Sequence, residues 1–255
     1  KDKKKEYYEK NKDKKKEYYE KNKDKIKEYD REYYQKNKDK IAELQRKYRQ
    51  KKREEAKKAL SADIVDVKRP EEGSLGASFP WIIRAIKELS HKPVSAAIGD
   101  FDYKPGGAAL TALGAAAAGA DFIKVGLMFD GIEEAEMLIK SVTRAVKETY
   151  PEKSVVIAAY SDWERLDTIS PFDMAPLAKK AGADISMVDT GIKDGKSTFE
   201  FMDETCLCDF TALNQKLGIK TALAGSLKFE DIGILKQINP DIIGVRGMVC
   251  GGDRR

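Results

Sequence analysis

Residues 53–255 predict an α/β fold, a TIM-type (β/α)8 barrel without its first strand and last helix, preceded over residues 1–52 by a basic helical repeat arm. Three observations predict it. From residue 59 onward, short β-rich runs alternate with amphipathic or alanine-rich stretches, the pattern of parallel βα units. Ionisable residues gather at the C-terminal ends of those runs, where such a barrel carries its active site, and Gly-rich turns follow the last two, where it commonly holds phosphate.

The arm comes first in the chain. Lys1–Asn11 (KDKKKEYYEKN) recurs unchanged over 12–22 and returns as a longer variant over 23–37. Eleven residues in three turns is close to helical periodicity, so Tyr7, Tyr18, Tyr29 and Tyr33 are expected in one slowly drifting stripe. Glu6/Lys10, Glu17/Lys21, Glu32/Lys36, Glu43/Lys47 and Glu54/Lys58 are i,i+4 pairs in the better orientation, each adding roughly 0.2–0.5 kcal/mol. With few aliphatics before Ile41 the arm buries no core of its own, and a long, partly frayed helix of coiled-coil character is expected. Its last turns, through Ile41, Leu44, Tyr48, Ala56 and Leu60, are expected to pack on the following domain.

Charge separates the two parts. The net of +5 divides into +11 for residues 1–58 and −6 for residues 59–255. One reading makes the arm a weak electrostatic contact for nucleic acid, tyrosines stacking on bases and lysines meeting phosphates. Interleaved acidic residues favour the other, a solvated helical extension.

Strands are expected at 63–68, 94–98, 121–126, 154–159, 184–189, 219–224 and 241–245, with helices at 79–89, 106–118, 131–149, 172–181, 199–217 and 229–238. Asp130 and Ser170-Pro171 are expected helix starts. Side chains alternate along a strand, so Ile64, Asp66 and Lys68 share one face, as do Phe122, Lys124 and Gly126, with Val65, Val67, Ile123 and Val125 opposite. If both strands belong to one closed parallel sheet, the ammonium groups of Lys68 and Lys124 converge.

The remaining polar residues sit where a barrel would use them. Asp66 and Lys68 end the first run, Gly99-Asp100 the second and Asp189 the fifth, with Lys193 four residues later. Gly225-Ser226 follows the sixth run, and Arg246-Gly247 with Gly251-Gly252 the seventh. Small residues leave backbone N–H groups open to an anion, and Arg246 adds charge, which makes these six the expected phosphate site. A desolvated lysine has its charged form disfavoured, and the free amine can attack a carbonyl. The competing reading makes Lys68/Asp66 and Lys124/Asp189 plain interior ion pairs.

Other chemistries find little support. His91 is the only histidine and stands in a helix-to-strand loop where a turn cap is expected; Cys206, Cys208 and Cys250 form no CxxC pair. No metal site is expected, and the cysteines read as free thiols. No stretch approaches the roughly 18 apolar residues of a membrane span, and none near the start resembles a secretory signal. A cytoplasmic protein with no membrane association is expected.

The run Ala62-Asp63-Ile64-Val65-Asp66-Val67-Lys68 through Glu72-Gly73-Ser74-Leu75-Gly76-Ala77 and Phe79-Pro80-Trp81 resembles a known family. So do Gly99-Asp100 with Tyr103-Lys104-Pro105-Gly106, Asp121-Phe122-Ile123-Lys124-Val125-Gly126, Asp189-Thr190 with Lys193-Asp194-Gly195-Lys196, Ala222-Leu223-Ala224-Gly225-Ser226 and Gly244-Val245-Arg246-Gly247. That family is (5-formylfuran-3-yl)methyl phosphate synthase, also called 4-(hydroxymethyl)-2-furancarboxaldehyde-phosphate synthase, of methanofuran biosynthesis. The resemblance implies a lyase that joins two molecules of glyceraldehyde 3-phosphate with loss of phosphate and water. It implies a Schiff base on Lys68, a proton acceptor in Lys124, acid/base partners in Asp66 and Asp189, a helper in Lys193, and no metal or organic cofactor. A homo-oligomer is the expected assembly.

The chain departs from the family at both ends. The repeat arm stands where a short apolar strand would precede Arg53–Leu60, and Arg255 falls where a final helix would follow. An open seven-stranded sheet with two edges is therefore expected. Two other functions stay open at this stage: another class I aldolase-like barrel acting on a different phosphorylated carbonyl compound, and a non-catalytic nucleic-acid-associated protein using the arm.

Overall fold

The structure, a computed structural model, describes residues 62–247 throughout and scattered helical residues between 16 and 47. The chain divides into two units, Lys1–Glu54 and Glu55–Arg255. In the first unit the Lys47 ammonium lies 2.7 Å from Glu43, one of the expected i,i+4 pairs, and Tyr18 is exposed. The expectations resting on Tyr7, Tyr29, Tyr33, Ile41, Leu44, Tyr48, Ala56 and Leu60 lie outside the described residues, as do Cys250, Gly251 and Gly252.

The second unit is a seven-stranded parallel sheet among the described residues. Its strands are β1 (Val65–Val67), β2 (Val94–Phe101), β3 (Phe122–Leu127), β4 (Ser154–Tyr160), β5 (Ile185–Asp189), β6 (Lys220–Leu223) and β7 (Ile242–Ile243). They lie in chain order, each parallel to the next. Parallel neighbours need a crossover connection, and helices supply it: α1 (Pro80–Leu89), α2 (Pro105–Ala117), α3 (Ile132–Lys147), α4 (Trp163–Leu166), α5 (Pro171–Lys180), α6 (Glu204–Leu217) and α7 (Ile232–Ile238). β1 and β7 are the sheet edges among the described residues.

Period-2 alternation sorts the side chains into two layers. Ala96, Ile98, Ile123, Val125, Val155 and Ile157 form one core with Ala108 and Ala112 of α2 and Leu138, Ile139 and Val142 of α3. On the other face Ala97, Val156, Ala158, Ile185, Met187 and Ala222 form a smaller core with Leu75, flanked by Phe122. That second face is concave: Ser74, just past β1, donates its hydroxyl to the carbonyl of Thr190, just past β5, at 2.8 Å.

The N-terminal ends of the strands are pinned by a repeated device. Asp121, Asp184 and Asp241 each precede a strand and accept an early N–H of the neighbouring one, from Val94 at 2.7 Å, Val155 at 2.7 Å and Thr221 at 2.8 Å. Buried backbone donors at a strand start need such partners, and Lys87 and Lys147 offset the charge of the first two acids.

Local starts and turns follow the sequence except in a few places. Ser170 caps α5 by accepting from the N–H of Asp173 at 3.1 Å, with Pro171 in the first turn. Asp130 does not cap α3: Gly131, at φ +127°, takes that position, and Asp130 accepts the Gly131 N–H instead. The turn after α1 is closed by Ser90, whose hydroxyl oxygen accepts from the N–H of Lys92, and not by His91. The helix expected from 199 starts at Glu204, behind a 3-10 turn over Thr198–Glu200. No helix among the described residues is long and apolar enough to cross a membrane.

Candidate active site

Lys124 lies on the concave face of β3 and is 6% exposed. Its ammonium donates to both carboxylate oxygens of Asp66 on β1, each at 2.9 Å. Charge-assisted bonds of this kind are the strong ones in proteins. Burial opposes ionisation of Asp66, but Lys124 and then Lys68, helped by a bond from Ser95, outweigh it and hold the carboxyl below the usual aspartate range. Asp66 nevertheless keeps 37% of its side chain accessible, so the pair opens onto the mouth of the concavity.

Lys68 follows β1 directly and is half-buried, its ammonium donating to the carbonyl of Ser74 at 3.2 Å. Burial pushes this amine below the usual lysine range; Lys124 and Lys193 push the same way, while Asp189 and Asp66 oppose them. Asp189 ends β5 and is buried, accepting from Lys193 at 2.8 Å and from the N–H of Thr190 at 2.8 Å. Its carboxyl lies below the usual range: burial works against ionisation, and Lys193, Lys68 and Lys124 together prevail. Lys193 also donates to the carbonyl and the hydroxyl of Thr190, at 2.5 Å and 2.9 Å.

All five residues expected to do chemistry thus act on one another at one end of the sheet. The ion pairs are Lys124–Asp66 and Lys193–Asp189, with Lys68 between them, and not the Lys68/Asp66 and Lys124/Asp189 pairs of the competing reading. Lys124 reaches across β2, where Ala97 stands in register with it, toward β1, and the loop after β5 folds Lys193 back onto its own strand end.

Two residues join this end of the sheet without having been singled out as site residues. Tyr160, fully buried at the end of β4, donates its hydroxyl to Asp100. Burial and the Asp100 carboxylate push the phenol well above the usual tyrosine range, so it keeps its proton. Gly126 makes the space, since a Cβ there would lie 2.0 Å from the Tyr160 hydroxyl and 2.7 Å from Asp100. The alternation Val156, Ala158, Tyr160 placed the ring on the Lys124 face, and extending the fourth run by one residue would have exposed the signal.

Of the expected phosphate turns, the one after β6 is adjacent to this cluster. Gly225 has φ +98°, Ser226 φ +53°, and a Cβ on Gly225 would meet the Thr198 hydroxyl at 2.2 Å and the Thr190 N at 2.9 Å. The turn after β6 therefore abuts the loop that carries Lys193. The N–H of Thr198 donates to the Gly225 carbonyl at 2.9 Å, and its hydroxyl to that of Ala224 at 2.6 Å. The turn after β7, with Arg246 and Gly247, starts from Gly244, whose N–H donates to Leu223 on β6 at 2.8 Å. Buried Asp162 fixes the loop after β5 by accepting the N–H groups of Gly191 and Ile192 at 2.7 Å and 3.0 Å. No group of His, Cys, Asp and Glu among the described residues is placed to hold a metal ion.

Comparison with known proteins covers the same segment. The family model described as 4-HFC-P synthase matches residues 50–255. The (5-formylfuran-3-yl)methyl phosphate synthase of Methanosarcina acetivorans is 60% identical over 209 residues, 80% of this chain and 89% of that protein. Its counterpart in Methanocaldococcus jannaschii is 51% identical over 209 residues, 79% of this chain and 88% of the relative. Among solved structures, a 3-hexulose-6-phosphate synthase aligns with a TM-score of 0.50 at 21% identity, over 76% of this chain and 83% of that one, a likeness of fold.

Proposed function

The chain belongs to the 4-HFC-P synthase family, and from that premise we propose that it is a lyase condensing two molecules of glyceraldehyde 3-phosphate into (5-formylfuran-3-yl)methyl phosphate, with loss of phosphate and water, in methanofuran biosynthesis. The seven-stranded sheet is read as part of an eight-stranded barrel plan, with the chemistry at the C-terminal ends of its strands.

The observation that carries the reading is the placement of the half-buried Lys68 amine between the Lys124–Asp66 and Lys193–Asp189 pairs. A lysine depressed by burial holds more of its amine free than an exposed one, and the attack of that amine on the aldehyde of one triose expels water to give an iminium. The iminium acidifies the adjacent C–H. Asp66, held by the Lys124 ammonium, takes that proton, and the resulting enamine drives out the phosphate on the next carbon. The Asp189–Lys193 pair serves the second triose, moving a proton as the aldehyde becomes a ketone before aldol union, ring closure and dehydration. The turns at Gly225-Ser226 and Arg246-Gly247 hold the phosphate that is retained.

The test is formation of a furan aldehyde chromophore from glyceraldehyde 3-phosphate, with wild type and Lys68→Ala side by side. Wild type should form it and the variant should not. A borohydride-trapped adduct on Lys68 without furan product would move the reading to another class I aldolase-like barrel.

A further inference from the structure

Lys68 stands just past β1, a strand of three residues at the edge of the described sheet, so no ladder bond of its own aims its amine. Its direction comes from the loop that follows. That loop closes on itself through the N–H of Arg69 to the Gly76 carbonyl at 2.9 Å and turns Leu75, fully buried, into the concave core. The Ser74 carbonyl between them receives the Lys68 ammonium.

Two contacts hold the loop: the Ser74 hydroxyl on the Thr190 carbonyl at 2.8 Å, and a carboxylate beneath Leu75. Both oxygens of Asp100 accept from the Leu75 N–H, at 3.1 Å and 3.0 Å, and one also accepts the Tyr160 hydroxyl. Room for this arrangement is made twice by missing side chains. A Cβ on Gly73, at φ +137°, would lie 2.3 Å from Asp100, and one on Gly126 would strike both partners. The amine must meet a carbonyl carbon in near-attack geometry, and small displacements of such a group cost rate steeply.

We propose that Asp100 and Tyr160 are positioning residues for Lys68, holding the Gly73–Leu75 backbone so that the Ser74 carbonyl aims the amine into the mouth. The inference rests on the lyase reading above. Neither residue touches the reacting atoms. Tyr160 orients Asp100, Asp100 fixes the Leu75 amide, and the carbonyl one residue earlier sets the direction of the Lys68 side chain.

The test uses the full-length chain and three variants: Tyr160→Phe, Asp100→Asn and Gly73→Ala. The last crowds the same carboxylate and strains the loop backbone at φ +137°, outside the sheet, and keeps the question answerable should the buried substitutions unfold the protein. For each, kcat and KM for glyceraldehyde 3-phosphate are measured with the rate of borohydride-trapped adduct on Lys68, read by mass, and thermal melting. Positioning predicts folded variants with unchanged KM and a roughly ten- to hundredfold fall in both kcat and trapping rate. Trapping and kcat equal to wild type in Gly73→Ala or in folded Tyr160→Phe would overturn it, as would a loss confined to KM. Absence of adduct and product in wild type would instead sink the lyase reading itself.

Discussion

The Lys124 ammonium meets both oxygens of Asp66 at 2.9 Å although β2 lies between their strands. Two strand spacings amount to roughly 9–10 Å. The lysine spans that gap because β2 presents Ser95, in register with Asp66, and Ala97, in register with Lys124. A small residue thus lies on the path between the lysine and the acid it finds.

Ala97→Leu should therefore separate the pair. Overpacking a filled interior costs about 1–3 kcal/mol, so the melting temperature should fall moderately. Furan production should fall far more, by about a hundredfold, because the acid and amine no longer share a proton. Turnover at the wild-type level would show that the bond is dispensable.

Asp66→Ala leaves a lysine that is 6% exposed without its counter-ion. Breaking a buried pair typically costs about 3–5 kcal/mol, and the partial accessibility of Asp66 places the loss near the lower end. Adding Lys124→Met should restore most of the stability while leaving the protein inactive. Denaturant unfolding of the single and double variants checks this; equal stability of the two would mean the charge is hydrated after all.

The acid limb of stability should depend on the same carboxylates. Asp66 and Asp189 have folded-state values below that of the unfolded chain, which is about 3.9. Between folded and unfolded values the unfolded chain binds more protons, so stability rises with pH there. Their contribution is complete above about pH 5 and is lost as pH falls through the folded values. Asp189→Asn should flatten the limb below about pH 4 in melting experiments, and an unchanged limb would assign acid unfolding elsewhere.

The ionisation of Lys68 should respond to its neighbours in opposite directions. Burial lowers it first; Asp189 raises it and Lys124 lowers it. The pH midpoint for labelling the Lys68 amine with trinitrobenzenesulfonate, followed by mass spectrometry, should lie below the ordinary lysine value of about 10.4. It should move down further in Asp189→Asn and up in Lys124→Met. Shifts of the same sign in both variants would indicate a change in burial rather than in charge.

Much of this site was legible in the chain because strand alternation is strict. Phe122, Lys124 and Gly126 do share the concave face, with Ile123 and Val125 packed on the other. The pairing was not legible, since it depends on the curl of the sheet and on the size of Ala97, neither of which is a local property of the strands carrying the charges. Tyr160 escaped because it stands one residue past the expected strand end, where boundaries are least certain. The inward turn of Leu75 has no periodic signal at all; it depends on Asp100, a partner 25 residues away. At Asp130 the acidic residue is present but the glycine beside it takes the cap, because its φ of +127° suits the entry to α3.

The most direct measurement is the mass of the chain after incubation with glyceraldehyde 3-phosphate and borohydride, with the modified peptide sequenced. The account predicts one reduced triose-derived adduct on Lys68, absent in Lys68→Ala, together with furan aldehyde phosphate formed by wild type alone. Furan product from Lys68→Ala, or an adduct confined to Lys124 or Lys193, would contradict it.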